Sequence, residues 1–236
     1  MQKTEFENFR RFEDTISELL LYTRKNESDV ISAIKNSMLE RNIEWEKYSQ
    51  SSIIDFHRQT EANLFCLSKW NIEEEYQSIM DYIFYITKKT SNSILDFGGG
   101  IGTLSIFLLT NGLNVDFMEV PSNTLNYALW RFKRRFLEPG IYTTLNQINK
   151  QYDTIIALDV FEVLEKPHAH LKKFSEMLNK NGLLISSMGN VSSSSHPMNL
   201  AKNKEFFDNF DRYAEEAGFS NSPFENKFRL NIKKKN

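Results

Sequence analysis

Asp96, Gly98, Gly99, Gly100 and Gly102 place one carboxylate just ahead of four clustered glycines. Glycine lets a chain turn sharply, and its missing Cβ lets a ligand approach the backbone. The short apolar run Ile94–Leu95 precedes the turn, and Leu104, Ile106, Phe107, Leu108 and Leu109 follow it as far as Gly112. That order reads as strand, tight turn, helix. The helix start presents unpaired N–H groups toward whatever lies over the turn. A phosphate-cradling loop would need Gly-Lys-Ser/Thr, whereas Gly102 is followed by Thr103 and Leu104. A dinucleotide fingerprint would need glycine at position 103. A glycine-rich turn with no ligand is the alternative, and its backbone entropy cost argues against it.

Three further groups can do chemistry near such a turn. Glu119 ends the alternating run Leu113 to Val120, which reads as a second strand. In a βαβ unit it falls beside the first strand's C-terminal edge, where a carboxylate can accept both hydroxyls of a ribose. The other reading of Glu119 is a solvent-exposed glutamate. Asp116 lies inside the strand and points to the opposite face. His196 sits in the loop GNVSSSSHPMNL after the fifth strand, at the edge where open α/β sheets bind ligands. It can stand there as a general base, or it is a surface loop histidine. His57, set among apolar residues in IIDFHRQ, is either a satisfied structural histidine or a pocket residue.

The spacing Asp96, Gly98, Gly100, Gly102 resembles motif I of the class I S-adenosylmethionine-dependent methyltransferases. Asp159-Val-Phe-Glu162-Val-Leu164 resembles the D-V-x-E-H-[LV] stretch after strand four in many small-molecule and quinone methyltransferases. It departs at Val163, where histidine is common, so chemistry assigned to that histidine is absent here. The resemblance covers roughly residues 92 to 232, most closely at 95–105. It implies S-adenosylmethionine as cofactor, with Asp96, Gly98, Gly99, Gly100 and Gly102 around its methionine and ribose parts. It implies that Glu119, with Val120 beside it, takes the ribose hydroxyls. After a third strand, Ile141 to Leu145, a polar side chain often meets the adenine. The usual acid is missing here and Asn146 is the candidate. Strand-end carbonyls near Leu158 and Asp159 are expected to face the sulfonium, and Asp159 either holds a substrate group or caps a helix. The reaction the resemblance implies is in-line methyl transfer, in which positioning supplies most of the catalysis. No metal is implied.

The elements that must position these groups follow from pattern. Residues 1–90 read as helical: the first helix opens on a Thr4/Glu7 capping box, and the second starts at Ser28 or Asp29. A break falls at 49–52, a third helix covers Ile53 to Leu67, and a last one is capped by Asn71. Trp45, Tyr48, Phe56, His57, Phe65 and Trp70 are candidates for a pocket lining on this arm, which is read as a substrate-covering or dimerisation domain. Residues 91–236 form the cofactor-binding domain. Ser122 opens a helix ending in Arg131, Lys133, Arg134 and Arg135, read as a solvated basic end that complements the helix dipole. Pro167 opens another that runs to Gly182, with His168 and His170 diverging around it. Two short strands close the chain. The predicted fold is α/β, a doubly wound, mostly parallel seven-stranded sheet preceded by helices.

Bulk properties narrow the function. Apolar residues make up 40% of the 236, enough for a core, and the net charge of −2 gives no global attraction to nucleic acid. No apolar run is long enough to span a bilayer, and the N-terminus lacks a signal peptide's apolar centre. The single Cys66 suits a reducing cytoplasm. The expected acceptor is a small molecule, methylated at O, N or C. The rival readings are a nicotinamide-dependent oxidoreductase, opposed by Thr103, and a non-catalytic cofactor-binding interaction protein.

Overall fold

The computed structural model describes residues 12–48, 52–187, 189 and 196–236. The Thr4/Glu7 capping box lies outside them. Five helices come first: α1 (Phe12–Thr23), α2 (Glu27–Tyr48), α3 (Ile53–Gln59), α4 (Ala62–Trp70) and α5 (Glu74–Thr90). Then come β1 (Ile94–Phe97), α6 (Thr103–Thr110), β2 (Val115–Met118), α7 (Asn123–Arg134), β3 (Ile141–Tyr142) and β4 (Tyr152–Ala157). The chain ends with α8 (Pro167–Met177), β5 (Leu178–Ser187), α9 (Lys204–Asp208), α10 (Phe210–Glu216), β6 (Phe219–Asn221) and β7 (Leu230–Lys235).

The seven strands form one sheet in the order β3-β2-β1-β4-β5-β7-β6. β1 to β5 run parallel, and β7 is antiparallel to both β5 and β6. The order turns around between β1 and β4, where the crossovers leave for opposite faces and a crevice opens at the strand ends. Side-chain parity builds the two layers. Ile94, Phe117 and Ile156 pack under α5, α6 and α7, with Ile83, Leu104 and Phe132 among the buried partners. Leu95, Phe97 and Ile155 pack on the other face against α8 to α10, with Phe174 and Phe206. β1 and β2 are buried along their whole length, as strands covered on both faces must be.

Several sequence expectations change. Ile53 to Leu67 is two helices rather than one. Glu44 of α2 accepts from Thr60 Oγ1 at 2.5 Å and from the amides of Glu61 and Ala62 at 3.3 Å, capping α4 from outside and breaking the run. Asn71 does not cap α5, which starts after Glu73. Its buried amide instead donates to Thr103 Oγ1 at 2.6 Å. The helix from Pro167 stops at Met177, because Leu178 already pairs with Tyr152 in the sheet and residues 179–182 bulge out of register. The third strand has two residues, Ile141 and Tyr142.

Candidate functional site

Asp96 shares parity with Ile94 and so points to the α6 face, where Ser105 Oγ donates to its Oδ2 at 2.6 Å. Burial pushes its pKa up to about 6, against the pull of that hydrogen bond. Beyond Asp96 the chain folds back over β2: the amides of Gly98 and Gly99 both donate to Met118 O, at 2.8 and 3.1 Å. Gly100 has φ +58°, a region few side-chain-bearing residues enter. Gly102 (φ +76°) caps α6, and a Cβ there would stand 3.0 Å from Phe132 of α7. That glycine serves helix packing and does not line the cavity.

Glu119 follows β2 and bolts the turn in place. Its Oε2 accepts from Gly100 N at 2.9 Å and its Oε1 from Val120 N at 2.8 Å. Burial raises its pKa to about 7 even so. Each oxygen keeps a lone pair, so the carboxylate can still accept from a ligand. Asp116, one step off in parity, lies on the other face, bonded to Tyr152 Oη at 2.7 Å and Lys150 Nζ at 2.6 Å. At the end of β4, Asp159 is held at φ +50°. Its Oδ1 accepts from Ser187 Oγ at 2.9 Å, and it caps no helix.

These groups border one cavity of about 240 Å³. Asp96, Gly98, Gly99, Gly100, Glu119, Val120, Leu158 and Asp159 line its floor, and Ile54, His57, Asn63, Leu67, Trp70 and Tyr76 from the helical arm roof it. Besides Gly102, two expected residues are not brought in. Asn146 is exposed on a short 3-10 turn, and His196 is exposed beyond the lining. Burial, then the charge of Arg41, lowers the His196 pKa, while Asp159 opposes the shift. Of the arm's aromatic candidates, His57 and Trp70 reach the cavity. Trp45 and Phe56 pack on each other at 5.1 Å, Phe65 joins the α1–α2–α4 core, and the Tyr48 side chain lies outside the described residues.

His57 Nε2 is sealed from solvent with no hydrogen-bond partner among the described residues, and burial followed by the Arg41 charge lowers its pKa to about 4. Glu162, beside the strand ends, accepts from the Gly189 amide while its Oε2 has no partner among the described residues. Burial, helped by Asp159, raises its pKa to about 7. Tyr76 and Asn63 were not singled out as site residues from the sequence. Tyr76 reads there as one more inner-face residue of a helix, and its polar tip beside Trp70 was the available signal.

The basic end of α7 is also not what its position suggests. Arg131 is 4% exposed. Its Nε bonds Glu18 Oε2 of α1 at 3.1 Å, and its Nη1 donates to Ile101 O and Thr103 Oγ1, both at 2.7 Å. Arg135 takes the other Glu18 oxygen at 2.5 Å. Arg131 and Arg135 thus form a buried charge cluster that joins the arm to the glycine turn, while Lys133 and Arg134 are exposed, as a solvated helix end would have them.

Residues 69–222, well over half of the chain, match the family model described as a methyltransferase domain. Among solved structures, magnesium protoporphyrin IX methyltransferase from Synechocystis, with bound SAM, aligns with a TM-score of 0.53 and 19% identity over 69% of this chain and 80% of that one. An O-methyltransferase family protein from Burkholderia thailandensis aligns at 0.58 and 12% identity over 86% and 71%. A SAM-dependent methyltransferase from Clostridium acetobutylicum aligns at 0.52 and 13% over 68% and 92%. At these identities the likeness is one of fold. No curated protein sequence matches the chain at a significant level. The chain belongs to the methyltransferase-domain family, within the class I S-adenosylmethionine-dependent superfamily. No helix among the described residues is long and apolar enough to cross a membrane.

Proposed function

We propose that this chain moves the methyl group of S-adenosylmethionine in line onto a small-molecule acceptor at oxygen, nitrogen or carbon. One observation carries the reading: the glycine turn, closed on Glu119, and the arm's inner surface open into the same cavity. When bound, the cofactor supplies an activated methyl on a cationic sulfur. The chain supplies the rest. Glu119 accepts from the ribose hydroxyls, and the backbone at Gly98 to Gly100 lets the amino-acid end approach. Leu158 and Asp159 line the cavity at the end of β4, and their carbonyls would face the sulfur, where lone pairs stabilise positive charge. Asn146 and His196 stand outside the cavity lining, so the adenine contact and the base role are not assigned to them.

The acceptor lies under α3 and α4 in this reading, with residues 1–90 as the covering arm and 91–236 as the cofactor domain. Ile53, Ile54, Leu67, Trp70, Val163 and Leu164 make that part apolar, and among the described residues no lysine or arginine lines the cavity. This favours an uncharged, largely apolar acceptor over a phosphorylated one or a nucleic acid. Calorimetric titration with S-adenosylhomocysteine (SAH) tests the cofactor half. The wild type is expected to bind and the Gly100→Val variant, strained at positive φ, is expected not to. Equal binding by both would remove the turn from the site.

A further inference from the structure

Tyr76 sits on the first turn of α5 and lines the cavity from above. Its ring packs against Trp70 with centroids 6.0 Å apart. The segment entering α5 is tied to the glycine turn, because Asn71 donates to Thr103 at the start of α6. The tyrosine is therefore fixed relative to the floor.

Its hydroxyl is unlike that of a structural tyrosine. Tyr152, fully buried, gives its hydroxyl to Asp116 at 2.7 Å. The Tyr76 hydroxyl bonds to no described residue, and it is not among the polar atoms sealed away without a partner. It opens into the cavity. Burial raises its pKa, and the charges of Asp96 and then Asp159 push it further in the same direction. Those two acids stand at the ends of β1 and β4, which are neighbours in the sheet. Tyr76, Asp96 and Asp159 line the same cavity, and an unbonded hydroxyl sharing a cavity with two carboxylates makes a poor place for an anion and a good one for a cation that donates hydrogen bonds.

We propose that Tyr76 is a binding residue for the cofactor's amino-acid end: its hydroxyl oxygen accepts a hydrogen bond from the ammonium group, in the cavity that Asp96 and Asp159 also line. This rests on the reading that the cofactor lies over the glycine turn. It gives the arm a direct hold on the cofactor. The carboxylate end of the same amino acid is steered away from the two acids by like charge.

The test is calorimetric titration of wild type and Tyr76→Phe with three probes. SAH carries the whole amino-acid end, decarboxylated S-adenosylmethionine keeps the ammonium but lacks the carboxylate, and methylthioadenosine lacks both. The variant is expected to lose roughly tenfold to hundredfold for the first two, the usual loss for a hydrogen bond to a charged group, and about nothing for the third. Methylthioadenosine thereby controls for misfolding. Equal losses for all three would reduce Tyr76 to a packing residue, and unchanged affinity for SAH would also overturn the proposal. A loss for SAH alone would place the hydroxyl on the carboxylate instead. If the wild type binds none of the three, the cofactor reading itself falls, and this proposal with it.

Discussion

The floor and the roof of the cavity are built by different rules. On the floor, strand ends converge and three carboxylates find protein partners: Asp96 with Ser105, Glu119 with two amides, Asp159 with Ser187. Thr124 Oγ1 and Glu162 Oε2 nearby have none among the described residues. On the roof, neither His57 Nε2 nor the Tyr76 hydroxyl bonds to a described residue. Carboxylates already held in place pre-shape the floor for one constant ligand. Unmet polar groups on an otherwise apolar roof cost stability in the free protein and are repaid only by a ligand. The contrast sets a pre-shaped floor, suited to the cofactor, against a less satisfied roof, which in our proposal meets the acceptor and, through Tyr76, the cofactor's ammonium.

The joint between the two regions is where the contrast breaks most severely. Arg131 serves both, holding Glu18 of α1 and the carbonyl of Ile101. Arg131→Ala leaves the Glu18 carboxylate short of a partner in a buried site. It is expected to cost about 3–5 kcal/mol of stability in denaturant unfolding. A loss below about 1 kcal/mol would mean that floor and roof are not coupled through this cluster.

Glu119→Ala attacks the floor alone. It removes the carboxylate that fixes the Gly100 amide, and SAH affinity is expected to fall by about 1–3 kcal/mol. Unchanged affinity would take Glu119 out of the site.

Acid strength gives a subtler separation. Asp96 and Glu119 have folded pKa values raised to about 6 and about 7, from 3.8 and 4.5. The folded chain therefore binds more protons than the unfolded one between those values. Stability from these groups is full below about pH 4 and is lost as pH rises toward 7. Glu162, also raised to about 7, adds to that loss. A bound cation and donated ribose hydroxyls favour the ionised carboxylates, so SAH restores what the free protein loses. The rise in Tm on adding saturating SAH should be larger at pH 7.5 than at pH 5.5, and Glu119→Gln should flatten the difference. A larger rise at pH 5.5 would reverse the assignment.

His57→Leu should have the smallest effect on the fold. Replacing an unpartnered buried nitrogen with an apolar group is expected to change stability by less than about 1 kcal/mol, or to raise it. SAH affinity should be unaffected, while KM for the acceptor should rise. An equal loss of SAH affinity would place His57 with the floor.

The floor was legible in the sequence because its signals are local. A four-residue buried strand, a glycine cluster and a carboxylate of the right parity can be read from neighbours along the chain. The joint was not legible, because the partner of Arg131 is Glu18, far away in sequence, and a basic helix end with water around it looks the same on paper. Asn71 misled for a related reason: a residue suited to capping α5 is spent on Thr103 instead. The α8 boundary was misplaced because Leu178 fits a helix face as well as a strand. Tyr76 was hidden because a tyrosine on a helix's inner face is ordinary until the space beyond its hydroxyl is seen.

A crystal structure with SAH bound tests the central claim most directly. The account predicts density across the glycine turn, with the ribose hydroxyls on the Glu119 carboxylate and the amino-acid end beneath Tyr76. Density elsewhere in the molecule, or none at saturating ligand, would contradict it.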